Sequence, residues 1–99
     1  MAAVRPVTLR FSTRARTQLL AIHEYINEQN PSAAVRVGAS IRAAAEVLRY
    51  FPYSGRPGRA TDTREWVVRR YPYVIVYEVG ASDEGVTILG VFHCAQKRD

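Results

Sequence analysis

One stretch constrains this chain more than any other. Between Ala34 and Phe51, apolar residues recur at Ala34, Val37, Ile41, Ala44, Leu48 and Phe51, in alternating steps of three and four. Such spacing gathers on one side of the chain only if the chain is helical. Pro52 follows at once and stops the helix. Upstream, Ala15, Leu19, Ile22 and Ile26 fall at i, i+4, i+7 and i+11 and form a second stripe. Between the two lies Asn30-Pro31. The residue before a proline is pushed out of the helical region, asparagine is a good N-cap, and proline suits the first helical position. Two helices joined by almost no loop fold back as an antiparallel hairpin. Ala33, Ala34, Ala39, Ala43, Ala44 and Ala45 let them approach closely.

The remainder reads as strands. Val7 to Phe11 alternates apolar and polar residues, the period of a half-buried strand, and Ser12 or Thr13 can cap the helix that follows. Tyr53 to Thr63 is a loop rich in turn residues and arginines. Glu65 to Arg70 reads as a strand, Pro72 marks a turn, and Tyr73 to Val79 is a β-branched and aromatic run fit for a central strand. Gly80 to Gly85 is a polar hairpin loop, Val86 to Phe92 the last strand, and Cys94 to Asp99 a tail. Short connections make the last three strands an antiparallel meander, with the first strand at an edge or in a gap. The expected fold is one α+β domain over residues 1–99. It has two layers in the order β-α-α-β-β-β, with the helix hairpin packed on a mainly antiparallel four-stranded sheet.

A stripe that must cover a sheet says little about activity, and charge says somewhat more. The net charge is +5, and arginine supplies almost all of the positive charge, Lys97 being the only lysine. Arginine's rigid fork of donors suits carboxylates and phosphates. An acidic partner, protein or nucleic acid, is one reading; a solvated surface is the other. With Cys94 as the only cysteine, no internal disulfide can form, which fits a reducing cytoplasm. Met1 to Pro6 lacks the apolar core of a signal peptide. No apolar run approaches the ~20 residues that span a membrane. His23 and His93 are too far apart in sequence to suggest a zinc site. No cofactor is expected.

Four local motifs then point to a family. Pro52-Tyr53-Ser54-Gly55-Arg56-Pro57-Gly58, Thr63-Arg64-Glu65, Tyr71-Pro72-Tyr73-Val74-Ile75-Val76-Tyr77 and Val91-Phe92-His93 occur in that order. Together with the element order, they resemble the RelE/ParE toxin superfamily, and the ParE branch in particular, over about residues 7 to 97. The resemblance implies a toxin encoded beside an antitoxin that wraps it. In that superfamily ParE members poison DNA gyrase, whereas RelE members cut messenger RNA on the ribosome. The expected partners are therefore a ParD-like antitoxin, in a hetero-oligomer, and DNA gyrase as target.

RelE chemistry uses cations to stabilise a phosphate and acid–base groups to move protons. Val74 stands where RelE-like members carry an arginine in a "YRxVY" stretch, and no tyrosine follows Tyr77. These departures favour a gyrase poison without catalytic residues of its own. The alternative is a metal-independent ribonuclease using His93 with Arg64, Arg69 or Arg70. A third reading is a non-toxic binding module. The candidate contacts for a partner or target are Arg56, Arg59, Arg64, Arg69, Arg70, His93 and Lys97. Each has a plainer reading as a solvated loop residue or, for His93, as a strand-end residue that caps backbone or packs. Trp66, Tyr71, Tyr73 and Tyr77 can stack on bases, but their spacing fits sheet packing under the helices better. Cys94 is expected to pack as a small hydrophobe.

Overall fold

In a computed structural model, described over residues 5–81 and 85–95, the chain forms β1 (Leu9–Phe11), α1 (Thr13–Asn27), α2 (Pro31–Tyr50), β2 (Arg56–Pro57), β3 (Arg64–Val68), β4 (Tyr73–Val79) and β5 (Val86–His93). The strands make one sheet in the order β1-β5-β4-β3-β2. All neighbours run antiparallel except β1, which lies parallel to β5 at the edge. Both helices pack on one face of this sheet, giving the expected two-layer α+β architecture.

The helix boundaries follow from local chemistry. Ser12 caps α1: its Oγ accepts from the Ala15 amide at 3.0 Å, satisfying one of the helix's orphan donors. The same hydroxyl donates to the Leu89 carbonyl at 3.1 Å and so ties the start of α1 to β5. Asn30 caps α2 through Oδ1, which accepts from Ala33 N at 3.0 Å, with Pro31 at the first turn. Beyond the end of β1, the open edge of β5 is covered from α1, where Gln18 Oε1 accepts from Val91 N at 2.9 Å.

The core lies between helices and sheet. Val37, Ile41, Ala45 and Leu48 of α2 meet Val68, Ile75, Tyr77, Val86, Ile88 and Val91, all buried. Leu19, Ile22 and Ile26 of α1 pack against this cluster but are only half-buried. Trp66 also packs here and donates its indole N–H to the Ala44 carbonyl of α2 at 3.1 Å.

Several expectations are corrected. The sheet has five strands, because Arg56 and Pro57 in the turn-rich loop pair with Glu65 and Arg64 at its edge. Proline lacks a backbone donor and is tolerated at such an edge. β1 begins at Leu9 rather than Val7; the Val7 backbone instead bonds Arg49, with Val7 N to Arg49 O at 2.8 Å and Arg49 Nε to Val7 O at 3.0 Å. β3 ends at Val68, leaving Arg69 and Arg70 in the turn. Phe51 does not complete the α2 stripe: it follows the helix and is 58% exposed, while Ala45 is fully buried and Ala44 only partly. Cys94 is exposed rather than packed.

Candidate functional site

Strand alternation decides which side chains the helices cover. Ile75 and Val91 face the helix layer; their neighbours Val74, Val76, Gly90 and Phe92 face the other way. Among the described residues that second face carries no helical layer. On it Val76, Leu89, Gly90 and Phe92 floor a cleft of about 250 Å³. Arg14, Arg59, Ala60, Thr63 and Glu65 complete its walls. The Arg14 guanidinium reaches from α1 to lie 5.2 Å from the centre of the Phe92 ring, a cation–π distance.

The arginines singled out from sequence do not act as one patch. Arg56 pairs with the buried Glu65 at 3.0 Å; a buried carboxylate needs such a partner. Arg64 stacks on the Tyr53 ring at 5.1 Å. Its Nη1 donates to the Tyr53 carbonyl at 3.1 Å and to the Gly55 carbonyl at 2.8 Å. Both arginines are thereby engaged in holding the loop. Arg59 lines the cleft on the open face. Arg69 and Arg70 rim a separate groove of about 310 Å³ between α2 and β3, alongside Ala43, Val47, Trp66 and Val67. Lys97 lies outside the described residues, as do part of the Gly80–Gly85 loop and most of the tail.

His93 sits in a third place, a cleft of about 380 Å³ with Gln18, Ile22, Tyr25 and Tyr73. Its Nδ1 accepts from Ala95 N at 3.1 Å, and its ring meets Tyr73 edge-on at 5.5 Å. Burial and the nearby Tyr25 raise the Tyr73 pKa, so its phenol stays neutral. His93 is level with Tyr73, whereas Arg64 is level with Tyr77. Four residues along a strand span roughly 13 Å, and two strand spacings add about 9–10 Å sideways. His93 and Arg64 therefore do not converge on one phosphate, and the groove holding Arg70 shares no residue with the His93 cleft. Val74, where the resemblance would set a RelE-type arginine, is buried between its strand neighbours Val67 and Phe92. Among the described residues no cluster of histidine, cysteine or carboxylates is suited to a metal. Among the described residues no helix is long and apolar enough to cross a membrane.

Sequence reasoning missed Arg14. It is one of many arginines, and nothing in its local spacing tells that it folds over Phe92, 78 positions later in the chain. Nor does the motif that contains Tyr53 tell that its ring supports Arg64.

This fold and its motifs define a class. The family model for the ParE toxin of the type II toxin–antitoxin system parDE matches residues 9–98. The chain is 42% identical over 89 residues to putative toxin Y4kP of Sinorhizobium fredii, covering 90% of each chain. It is 41% identical over 83 residues to toxin RelE2 of Caulobacter vibrioides, covering 84% of this chain and 90% of that one. Its fold matches a solved chain of the chromosomal ParDE system of P. aeruginosa with TM-score 0.79 at 20% identity, over 88% of this chain and 95% of the other. A chain of the RelBE2 toxin–antitoxin complex of Mycobacterium tuberculosis matches with TM-score 0.64 at 28% identity, over 97% and 100%. The chain belongs to the ParE toxin family of type II toxin–antitoxin systems.

Proposed function

We propose that this toxin acts on DNA gyrase and is held silent in the cytoplasm by a ParD-like antitoxin bound in a hetero-oligomer. The observation that carries the target is the position of Val74. A ribonuclease needs preorganised charge where negative charge develops, and losing one such stabiliser costs ~10²–10³ in rate. Here an apolar, buried residue stands in the arginine's place, and His93 and Arg64 lie far apart in the sheet. A poison that acts by occupying a surface needs no bond-making group of its own. The antitoxin reading is supported by the family and by the solved ParDE and RelBE2 systems that share the fold.

A second reading, ribosome-dependent cleavage of messenger RNA, is favoured by the relative named RelE2. Its acid–base group would be His93, with Arg64, Arg69 or Arg70 as phosphate ligands. The test is a gyrase supercoiling assay run beside a translation extract probed for cuts in ribosome-bound messenger RNA. Inhibited supercoiling with intact messenger supports the gyrase reading. Codon-specific cuts that vanish in His93→Ala, with gyrase untouched, replace it with the nuclease.

A further inference from the structure

The cleft on the uncovered sheet face combines two features. Its floor is apolar, built from Val76, Leu89, Gly90 and Phe92, and cations stand on two of its walls, Arg14 from α1 and Arg59 from the loop before β3. Among the described residues the carboxylate lining it is Glu65, which is already paired with Arg56. Among the described residues the ion pairs are Arg49–Glu46 and Arg56–Glu65, and within that set neither Arg14 nor Arg59 is paired with a carboxylate. Cations lining an apolar cleft attract a ligand that carries both an apolar group and anionic groups.

The volume, about 250 Å³, falls below the ~300–1,000 Å³ usual for small-molecule sites. It suits one or two side chains of a peptide laid across the sheet. Nucleic acid fits less well: base stacking needs an open aromatic face, and Phe92 is 6% exposed beneath Arg14. The groove of Arg69 and Arg70 is a poorer match, since both its arginines come from the single turn after β3.

We propose that this cleft docks an acidic segment of the antitoxin, with a bulky apolar side chain on Val76 and Leu89 and carboxylates against Arg14 and Arg59. The proposal rests on the reading that the chain has an antitoxin, and it names where and by what chemistry that partner is held. Arg14 and Arg59 are exposed, so their reversal leaves the core untouched.

The test titrates the purified full chain with the protein encoded in the adjacent reading frame, the candidate antitoxin, at low and high salt. Arg14→Glu, Arg59→Glu, Leu89→Gln and the control Arg70→Glu are compared, with thermal melting as the check on folding. Each arginine reversal in the cleft should weaken binding by roughly tenfold or more and flatten its salt dependence. Leu89→Gln should speed dissociation, and Arg70→Glu should bind like the wild type. Unchanged affinity in all three cleft variants, with tight wild-type binding, overturns the proposal and leaves the antitoxin reading standing. Loss confined to Arg70→Glu overturns it in favour of the α2–β3 groove. If the cleft variants lose only a fluorescent single-stranded RNA, the cleft is a nucleic-acid site. Failure of the wild type to bind the adjacent protein at all removes the antitoxin reading and this proposal together.

Discussion

The phenol oxygen of Tyr77 accepts the Gly55 amide at 2.9 Å, across 22 residues of chain. The same hydroxyl donates to the Pro52 carbonyl at 2.7 Å. A fully buried side chain of the central strand thus fixes the loop that leaves α2. Tyr77→Phe keeps the ring and strips both bonds, leaving the buried Gly55 amide and the half-buried Pro52 carbonyl without that partner. A loss of about 1–3 kcal/mol is expected in denaturant titration.

The same hydroxyl predicts a pH dependence. Burial raises the Tyr77 pKa above the ordinary 10.0, against smaller lowering effects of the Gly55 amide and Arg64. With the folded value above the unfolded one, the associated stability is fully present below the unfolded pKa and is lost as pH rises through the folded pKa. Wild type minus Tyr77→Phe should therefore give a stability difference that is flat through neutral pH and shrinks above pH 10.0. A difference growing with alkalinity would show that the phenolate, not the phenol, is favoured in the fold.

Gly55 is where the backbone comes too close for a side chain. A Cβ there would lie 2.6 Å from the Tyr77 hydroxyl and 2.8 Å from the Glu65 carbonyl. Gly55→Ala should cost about 1–3 kcal/mol by overpacking. Because Gly55 and Tyr77 share a bond, the double variant Gly55→Ala/Tyr77→Phe should depart from additivity in a thermodynamic cycle; strict additivity would contradict the contact.

Arg64 is expected to matter for stability more than for partner binding. Its guanidinium serves the Tyr53 and Gly55 carbonyls and the Tyr53 ring. Arg64→Gln should lower stability by about 1–2 kcal/mol, discounted for partial exposure. Unchanged melting with impaired partner association would reverse that assignment.

The α2 stripe offers a contrast between two of its own members. Leu48 is fully buried, and Leu48→Ala should cost about 2–5 kcal/mol. Phe51, read from the same periodicity, is exposed, and Phe51→Ala should stay within about 0.5 kcal/mol.

The periodicity of Val37, Ile41 and Leu48 and the caps at Ser12 and Asn30 made the helix hairpin readable, because both are local signals. Tyr73 to Val79 declared a central strand for the same reason. The short strand at Arg56–Pro57 was hidden, since a two-residue pairing depends on where Glu65 and Arg64 lie in space. Phe51 was misplaced because the helix ends just before it. The arginines of the loop were visible as residues, but their roles were not. Whether Arg56 meets Glu65, or Arg14 meets Phe92, is decided by contacts between distant segments that leave no periodic trace. The open-face cleft was therefore the least legible part.

The proposed action of this ParE-family chain is the poisoning of gyrase. It is tested most directly by incubating the purified chain with gyrase, ATP and relaxed plasmid, then treating with detergent and protease. Linear, protein-linked DNA is expected to accumulate with toxin concentration and to disappear when the antitoxin is added first. Full supercoiling with no cleaved DNA, while the same preparation cuts ribosome-bound messenger RNA, would contradict it.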